Sequence, residues 1–271
     1  MAEISPVIGE RLINKQQVRQ HFSVHARDYD RYAKVQQLVA KRLAGLLRSH
    51  QQPWSLALEV GCGTGLLSRQ LLQLQAGLKL ILSDLAHGMS QQVQQVLTDC
   101  LICDADAAAL PFAAGTFDLV ASSSVYQWLN DLPNAFAEVA RVLRPDGTLA
   151  IAFFGEQTLH ELRSSHQAIL GDEKSHVQSF STLDRVERAV PADLQIVALH
   201  SEFEVEWHQS VPDLLRSLKK IGAQNASQQR PQGFTSRSDM QQMITHYDAV
   251  YAGEAGIPAT YEVIYLLAKR R

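Results

Sequence analysis

The sequence predicts an α/β fold, a mostly parallel sheet with helices on both faces. Three observations carry this. Five short apolar segments recur between residues 56 and 154, and stretches of helical periodicity separate them. The first segment runs into a glycine-rich turn that opens a helix. An aspartate closes the second segment and another follows the third.

The elements follow in order. Residues 14–49 contain no proline and one late glycine. Val18, Phe22, Ala26 and Tyr29, then Val35, Val39, Leu43 and Leu46, recur at helical spacing. The polar run Arg27-Asp28-Tyr29-Asp30-Arg31 divides this stretch into two helices, and Pro53 ends it. Strands are expected at 56–60, 78–83, 100–103, 117–122 and 148–154. The helices between them are expected at 64–74, at about 87–97 and at 131–143, the last N-capped by Asp131. The turn Arg144-Pro145-Asp146-Gly147 reads as type I. Beyond it, 194–207 and 260–267 read as two further strands able to pair antiparallel at the sheet edge. The polar, helical stretch between them is too long for a hairpin and reads as a cap over the active site. The expected organisation is therefore an N-terminal helical segment, 1–50, covering the site, and a main domain, 51–271, with a cap insertion at about 208–255.

Composition narrows the class. The chain has 271 residues, 46% of them hydrophobic and 20% charged, enough to bury a core without disulfides or metal. Three cysteines, Cys62, Cys100 and Cys103, are an odd and sparse set that fits a reducing compartment. No signal-peptide pattern and no membrane-length apolar run is present, so a cytoplasmic protein without a membrane partner is expected. A net charge of −3 does not point to nucleic acid. Residues 1–50, however, hold nine Lys/Arg against four acids. That excess is a solvated helix face unless the partner is acidic.

The sharpest motif is Glu59-Val60-Gly61-Cys62-Gly63-Thr64-Gly65. Its glycines allow a tight turn and a close backbone approach by a ligand. The dinucleotide pattern needs Gly or Ala at position 66, where Leu66 stands, so the loop suits a nucleotide-like ligand without a pyrophosphate. Asp84 lies where a carboxylate accepts both ribose hydroxyls. Asp106, in Asp104-Ala105-Asp106-Ala107-Ala108-Ala109-Leu110-Pro111-Phe112, can receive the exocyclic amine of adenine. Phe117-Asp118-Leu119-Val120 marks the fourth strand, whose end lies under the reacting centre. The Ser122-Ser123-Ser124 run beyond it lines the ligand pocket or terminates the strand.

In this order, across about residues 50–155, these motifs and Val142-Leu143-Arg144-Pro145-Asp146-Gly147 resemble the class I S-adenosylmethionine-dependent methyltransferases. The resemblance implies a Rossmann-like, seven-stranded sheet whose last strand is antiparallel. It implies S-adenosyl-L-methionine as co-substrate and no metal, with candidate cofactor contacts at Glu59, Gly61, Gly63, Gly65, Asp84, Asp106 and Ser123. Many relatives have Gly where this chain has Asp146.

The flanking segments narrow the resemblance. They are residues 14–18 leading into Phe22, residues 26–33, Val125-Tyr126-Gln127-Trp128-Leu129-Asn130-Asp131-Leu132, and Leu215-Arg216-Ser217-Leu218-Lys219-Lys220-Ile221-Gly222-Ala223. Together they are similar to the malonyl-[acyl-carrier protein] O-methyltransferase family of biotin biosynthesis. The implied reaction is methylation of the free carboxylate of a malonyl thioester, on the carrier protein or coenzyme A, which primes pimeloyl synthesis. A carboxylate is already ionised at neutral pH and needs no base. Arg216 is the candidate for orienting it. Tyr29 is expected to close the cofactor pocket, and Gln127 and Trp128 to stand at the end of the fourth strand. The N-terminal basic residues, with Arg216, Lys219 and Lys220, could steer an acidic carrier. A monomer is expected.

Cys100-x-x-Cys103 has no second pair and reads as incidental rather than metal-binding. His21 and His25 lack a third ligand. Two rivals stand beside the malonyl reading. One is methylation of another small carboxylate or of a quinone precursor. The other is a non-catalytic S-adenosylmethionine-binding assembly factor.

Overall fold

The computed structural model describes residues 12–49, 53–171, 180–223, 226 and 236–271. Expectations for residues 1–11 and 50, and for most of the stretch 224–235 within the expected cap, lie outside these residues.

Two helices and a turn of helix come first: α1 (Lys15–His25), α2 (Tyr29–Tyr32) and α3 (Lys34–Ser49). Asn14 starts α1 by accepting the N–H groups of Gln16 and Gln17, an N-cap that satisfies otherwise free donors. The alternating part follows as β1 (Leu56–Val60), α4 (Leu66–Leu74), β2 (Lys79–Asp84), α5 (His87–Gln94), β3 (Leu101–Asp104), β4 (Phe117–Ser123), α6 (Leu132–Val142) and β5 (Leu143–Phe154). Asp131 caps α6 through the N–H of Asn134 at 2.9 Å. The chain ends with α7 (His160–Leu170), α8 (Leu183–Ala189), β6 (Leu194–His208), α9 (Val211–Lys220), α10 (Arg237–Tyr251) and β7 (Ile257–Arg270).

The seven strands form one sheet in the order β3-β2-β1-β4-β5-β7-β6. β7 runs antiparallel to both β5 and β6 and separates them, which leaves β6 at the edge. The strand order reverses between β1 and β4, so their carboxyl ends open the crevice where α/β sheets bind ligands. Each face of the sheet carries an apolar core. Val39, Leu43 and Leu47 of α3 pack in the same core as Leu67 and Leu71 of α4. α3 is therefore part of the sheet's own packing, while α1 and α2 lie over the site.

Three local differences from the sequence reading have physical causes. α4 begins two residues later than expected, because Gly65 is left-handed (φ 85°). Asp146 has φ 62°. A positive φ at the third residue of 144–147 excludes the type I turn and is a conformation that glycine adopts without strain. α7 and α8 were not anticipated. The inward face of α7 carries Glu161, Ser165 and His166 beside Leu162, so no apolar periodicity marked it. Two of these polar groups are satisfied internally: Glu161 accepts from Thr260, and Ser165 contacts His246 at 3.2 Å.

Candidate active site

β1 delivers Glu59 and the glycine turn to the switch point. Gly61, Gly63 and Gly65 all have positive φ, a region that side chains other than glycine rarely adopt. A Cβ on Gly61 would stand 2.2 Å from Val125 Cγ2, whereas one on Gly63 would project into open space. The turn is tied to β2: Gly61 N–H and Cys62 N–H donate to the Ser83 carbonyl at 2.7 and 2.9 Å.

Asp84 completes this tie. Its Oδ2 accepts the Gly63 N–H at 2.9 Å and its Oδ1 the Ala86 N–H at 2.7 Å. Each carboxylate oxygen keeps a second acceptor site, enough for one ribose hydroxyl apiece. Burial pushes this carboxyl up to about 6, against the pull of those backbone donors. Burial pushes Glu59, which is 1% exposed, further, to about 8. Ser68 Oγ donates to its Oε2 at 2.5 Å.

Asp106 accepts the Ala108 N–H through Oδ1, and its Oδ2 is paired with Lys15 Nζ of α1 at 2.6 Å. At the end of β4, Ser122 Oγ donates to the Val60 carbonyl at 2.7 Å, a structural bond. The hydroxyls of Ser123 and Ser124 are buried with no partner among the described residues, although both residues line the cavity. Ser124 sits at φ 61°, outside the usual range for such a residue.

All of this borders one cavity of about 940 Å³, open mouth included. The seven expected cofactor contacts divide as follows: Glu59, Gly61, Gly63, Asp84, Asp106 and Ser123 line the cavity, and Gly65 stands behind the lining at the start of α4. Tyr29 and Trp128 line it too. Gln127 does not; it is buried beside the cavity, its Nε2 donating to the Ser124 carbonyl at 2.7 Å. Arg216 is also outside the lining, 70% exposed on α9 and paired with Asp213.

Four lining or bracing residues were not named as site residues from the sequence. Phe22 of α1 stands between Tyr29 and Trp128. Lys15 and Arg19 are the two cations in the lining, and Arg19 has no partner among the described residues. Asp30, read as part of a polar divider, accepts from Thr64 Oγ1 of the glycine turn and from Arg69 at 3.4 Å. It thereby anchors the backbone next to Tyr29. Phe22 carried a signal as an apolar position on the first helix, whereas Lys15, Arg19 and Asp30 stood only within longer basic or family-like segments. Among the described residues no group of three His, Cys, Asp or Glu side chains is placed to hold a metal ion.

A glycine cradle, a strand-end aspartate with one free acceptor site per oxygen, and orphaned hydroxyls under the crevice fit a nucleoside ligand with an amino-acid tail. Residues 58–151 match the family model described as "Methyltransferase domain". The fold and the site define an S-adenosylmethionine-dependent methyltransferase. The fold recurs in geranyl diphosphate methyltransferase in complex with SAM (TM-score 0.51, 16% identity, 85% of each chain). It also recurs in the [4+2]-cyclase SpnF (TM-score 0.54, 15% identity, 85% of this chain and 80% of that one), so fold alone does not fix the reaction. Along nearly its whole length the chain is similar to the malonyl-[acyl-carrier protein] O-methyltransferase of Geobacter sulfurreducens (strain ATCC 51573 / DSM 12127 / PCA). The two are 41% identical over 269 residues, covering 96% of this chain and 100% of the relative. It is 33% identical to the biotin biosynthesis bifunctional protein BioHC of Teredinibacter turnerae (strain ATCC 39867 / T7901), covering 98% of this chain and 48% of that protein. The chain belongs to the malonyl-[acyl-carrier protein] O-methyltransferase family.

Proposed function

We propose that this chain transfers the methyl group of S-adenosyl-L-methionine to the free carboxylate of malonyl-[acyl-carrier protein], giving the malonyl methyl ester used in biotin synthesis. The observation that carries this is the 41% identity across the full length of a relative bearing that name. The cavity agrees with the chemistry. The donor supplies an electrophilic methyl on a cationic sulfur, and an ionised carboxylate attacks it without losing a proton. The protein's work is then positioning and exclusion of water.

Glu59, Gly61, Gly63, Asp84, Asp106 and Ser123 hold the donor, with Gly65 fixing the start of α4 behind them. Tyr29 closes the pocket; burial, with Asp84 and Asp30 nearby, holds its phenol protonated well above the ordinary value. Gln127 braces Ser124 and so shapes the floor. Within the lining, Arg19 is the cation free to engage the malonyl carboxylate, since Lys15 is taken by Asp106. Arg216, exposed on α9, suits the carrier or its pantetheine phosphate once it leaves Asp213. The chain works as a monomer in the cytoplasm without nucleic acid or a membrane surface. No helix among the described residues is long and apolar enough to cross a membrane.

The test incubates the protein with S-adenosylmethionine and malonyl-carrier protein or malonyl-CoA and weighs the acyl chain by mass spectrometry. A gain of about 14 Da on malonyl but not acetyl is expected. Transfer to free small acids instead would move the assignment to another carboxylate. Donor binding without any transfer would favour an assembly role.

A further inference from the structure

One wall of the cavity is aromatic. Phe22 of α1 stands edge-on to Trp128, centroids 5.6 Å apart at 77°, and is tilted against Tyr29 of α2 at 6.3 Å and 56°. All three line the cavity that holds Gly61, Asp84 and Ser123. The carboxyl groups of the site are already engaged with protein partners. Asp84 accepts two backbone N–H groups, Asp106 is paired with Lys15, and Glu59 is bonded to Ser68. Among the described residues, every carboxyl group in the lining already has such a partner. Neutral rings can face a cation at the sulfur, because the face of an aromatic ring attracts positive charge.

We infer that Phe22, Tyr29 and Trp128 form an aromatic cage that favours the cationic sulfonium of the donor over the neutral thioether left after transfer. The inference rests on the assignment of this cavity to S-adenosylmethionine. In the reaction a carboxylate oxygen forms a bond to the methyl carbon with its own electron pair, and the carbon–sulfur bond breaks. That pair stays on sulfur, so both charges vanish at once. The cage therefore loses its attraction at the moment the product forms. Two of its three rings belong to the helices over the site, so their grip on the ligand depends on the sulfur's charge.

The experiment measures binding of S-adenosylmethionine and S-adenosylhomocysteine by calorimetry, without turnover, in the wild type, F22L and W128L. Each substitution is expected to lower the preference for the sulfonium by about threefold to thirtyfold, the range of a cation–ring contact. The affinity for S-adenosylhomocysteine should change by no more than about twofold on the same reasoning. Equal weakening of both ligands would overturn the proposal, since it would mean that the rings only fill space. Failure of either ligand to bind the wild type would instead overturn the cavity's assignment. A second measurement leaves the packing intact. The chain has three tryptophans, and Trp54 and Trp207 do not line the cavity. Replacing tryptophan by its mono-, di- and trifluoro forms should reduce the preference stepwise as the ring face loses electron density. A flat series would overturn the cage.

Discussion

Acid should release the donor before it loosens the fold, and Asp84 is the reason. Its carboxyl is raised from 3.8 to about 6 by burial. In the proposed site Asp84 holds the ribose, whose hydroxyls are donors, so the ligand should bind the ionised form. At pH 7 roughly ten in eleven empty sites are ionised, and at pH 5 roughly one in eleven. The apparent dissociation constant should therefore rise about tenfold over that interval. The effect on stability has the opposite sense. The folded value lies above the unfolded one, so the contribution of Asp84 to stability is fully present below about 4 and is lost as pH rises through 6. The assay is calorimetric titration with S-adenosylhomocysteine, whose own groups do not titrate between pH 5 and 8. D84N should bind at least roughly tenfold more weakly, having lost charge-assisted hydrogen bonds, and with no slope below pH 7. Glu59, raised to about 8, adds a second change near pH 8, which E59Q removes. A wild-type affinity flat down to pH 5, or an unchanged slope in D84N, would refute the reasoning.

Three further outcomes are expected. D146G should raise stability by about 1 kcal/mol, roughly 2–4 °C in melting temperature, because glycine adopts the positive φ of 62° without strain. G88A would place a Cβ 2.5 Å from the Ser23 carbonyl oxygen. With backbone on both sides, α1 must shift, so donor affinity should fall roughly tenfold while circular dichroism stays that of the wild type. The rate with malonyl-carrier protein should fall with added salt more steeply than the rate with malonyl-CoA, if basic surface steers the carrier. Equal salt slopes would assign the basic residues to the fold, where Arg42 and Lys34 already face Glu202, Glu204 and Glu206.

The sheet and the placement of the glycine turn and the two aspartates at the crevice were legible because they rest on local rules. Strand-end placement and a glycine turn read from a few neighbouring residues, and Asp84 and Asp106 lie where those rules put them. What stayed hidden depends on long-range contact. Nothing near Lys15 or Asp30 predicts their partners Asp106 and Thr64, and Arg19 looks like any basic residue on a helix. The internal polar bonds of α7 erased the pattern that would have revealed it. Gln127 and Trp128 are adjacent in the chain, yet a single 3₁₀ turn, Tyr126–Trp128, sends one side chain behind the cavity floor and the other into the lining.

The N-terminal helices, those over the site and α3 beside them, are held in part by residues from far along the chain. The Asn14 N–H that begins α1 donates to the Ala226 carbonyl at 2.7 Å, Gly222 packs against the His21 backbone, and Arg42 reaches Glu204, 162 residues away in sequence. A ribosome adding about 5–20 residues per second needs roughly ten to thirty seconds to cover that last distance. For that interval the first-made helices lack these later contacts. During biogenesis the donor pocket is therefore assembled last from the segment made first, and a chaperone that shields residues 15–49 would act on the step that creates the active site.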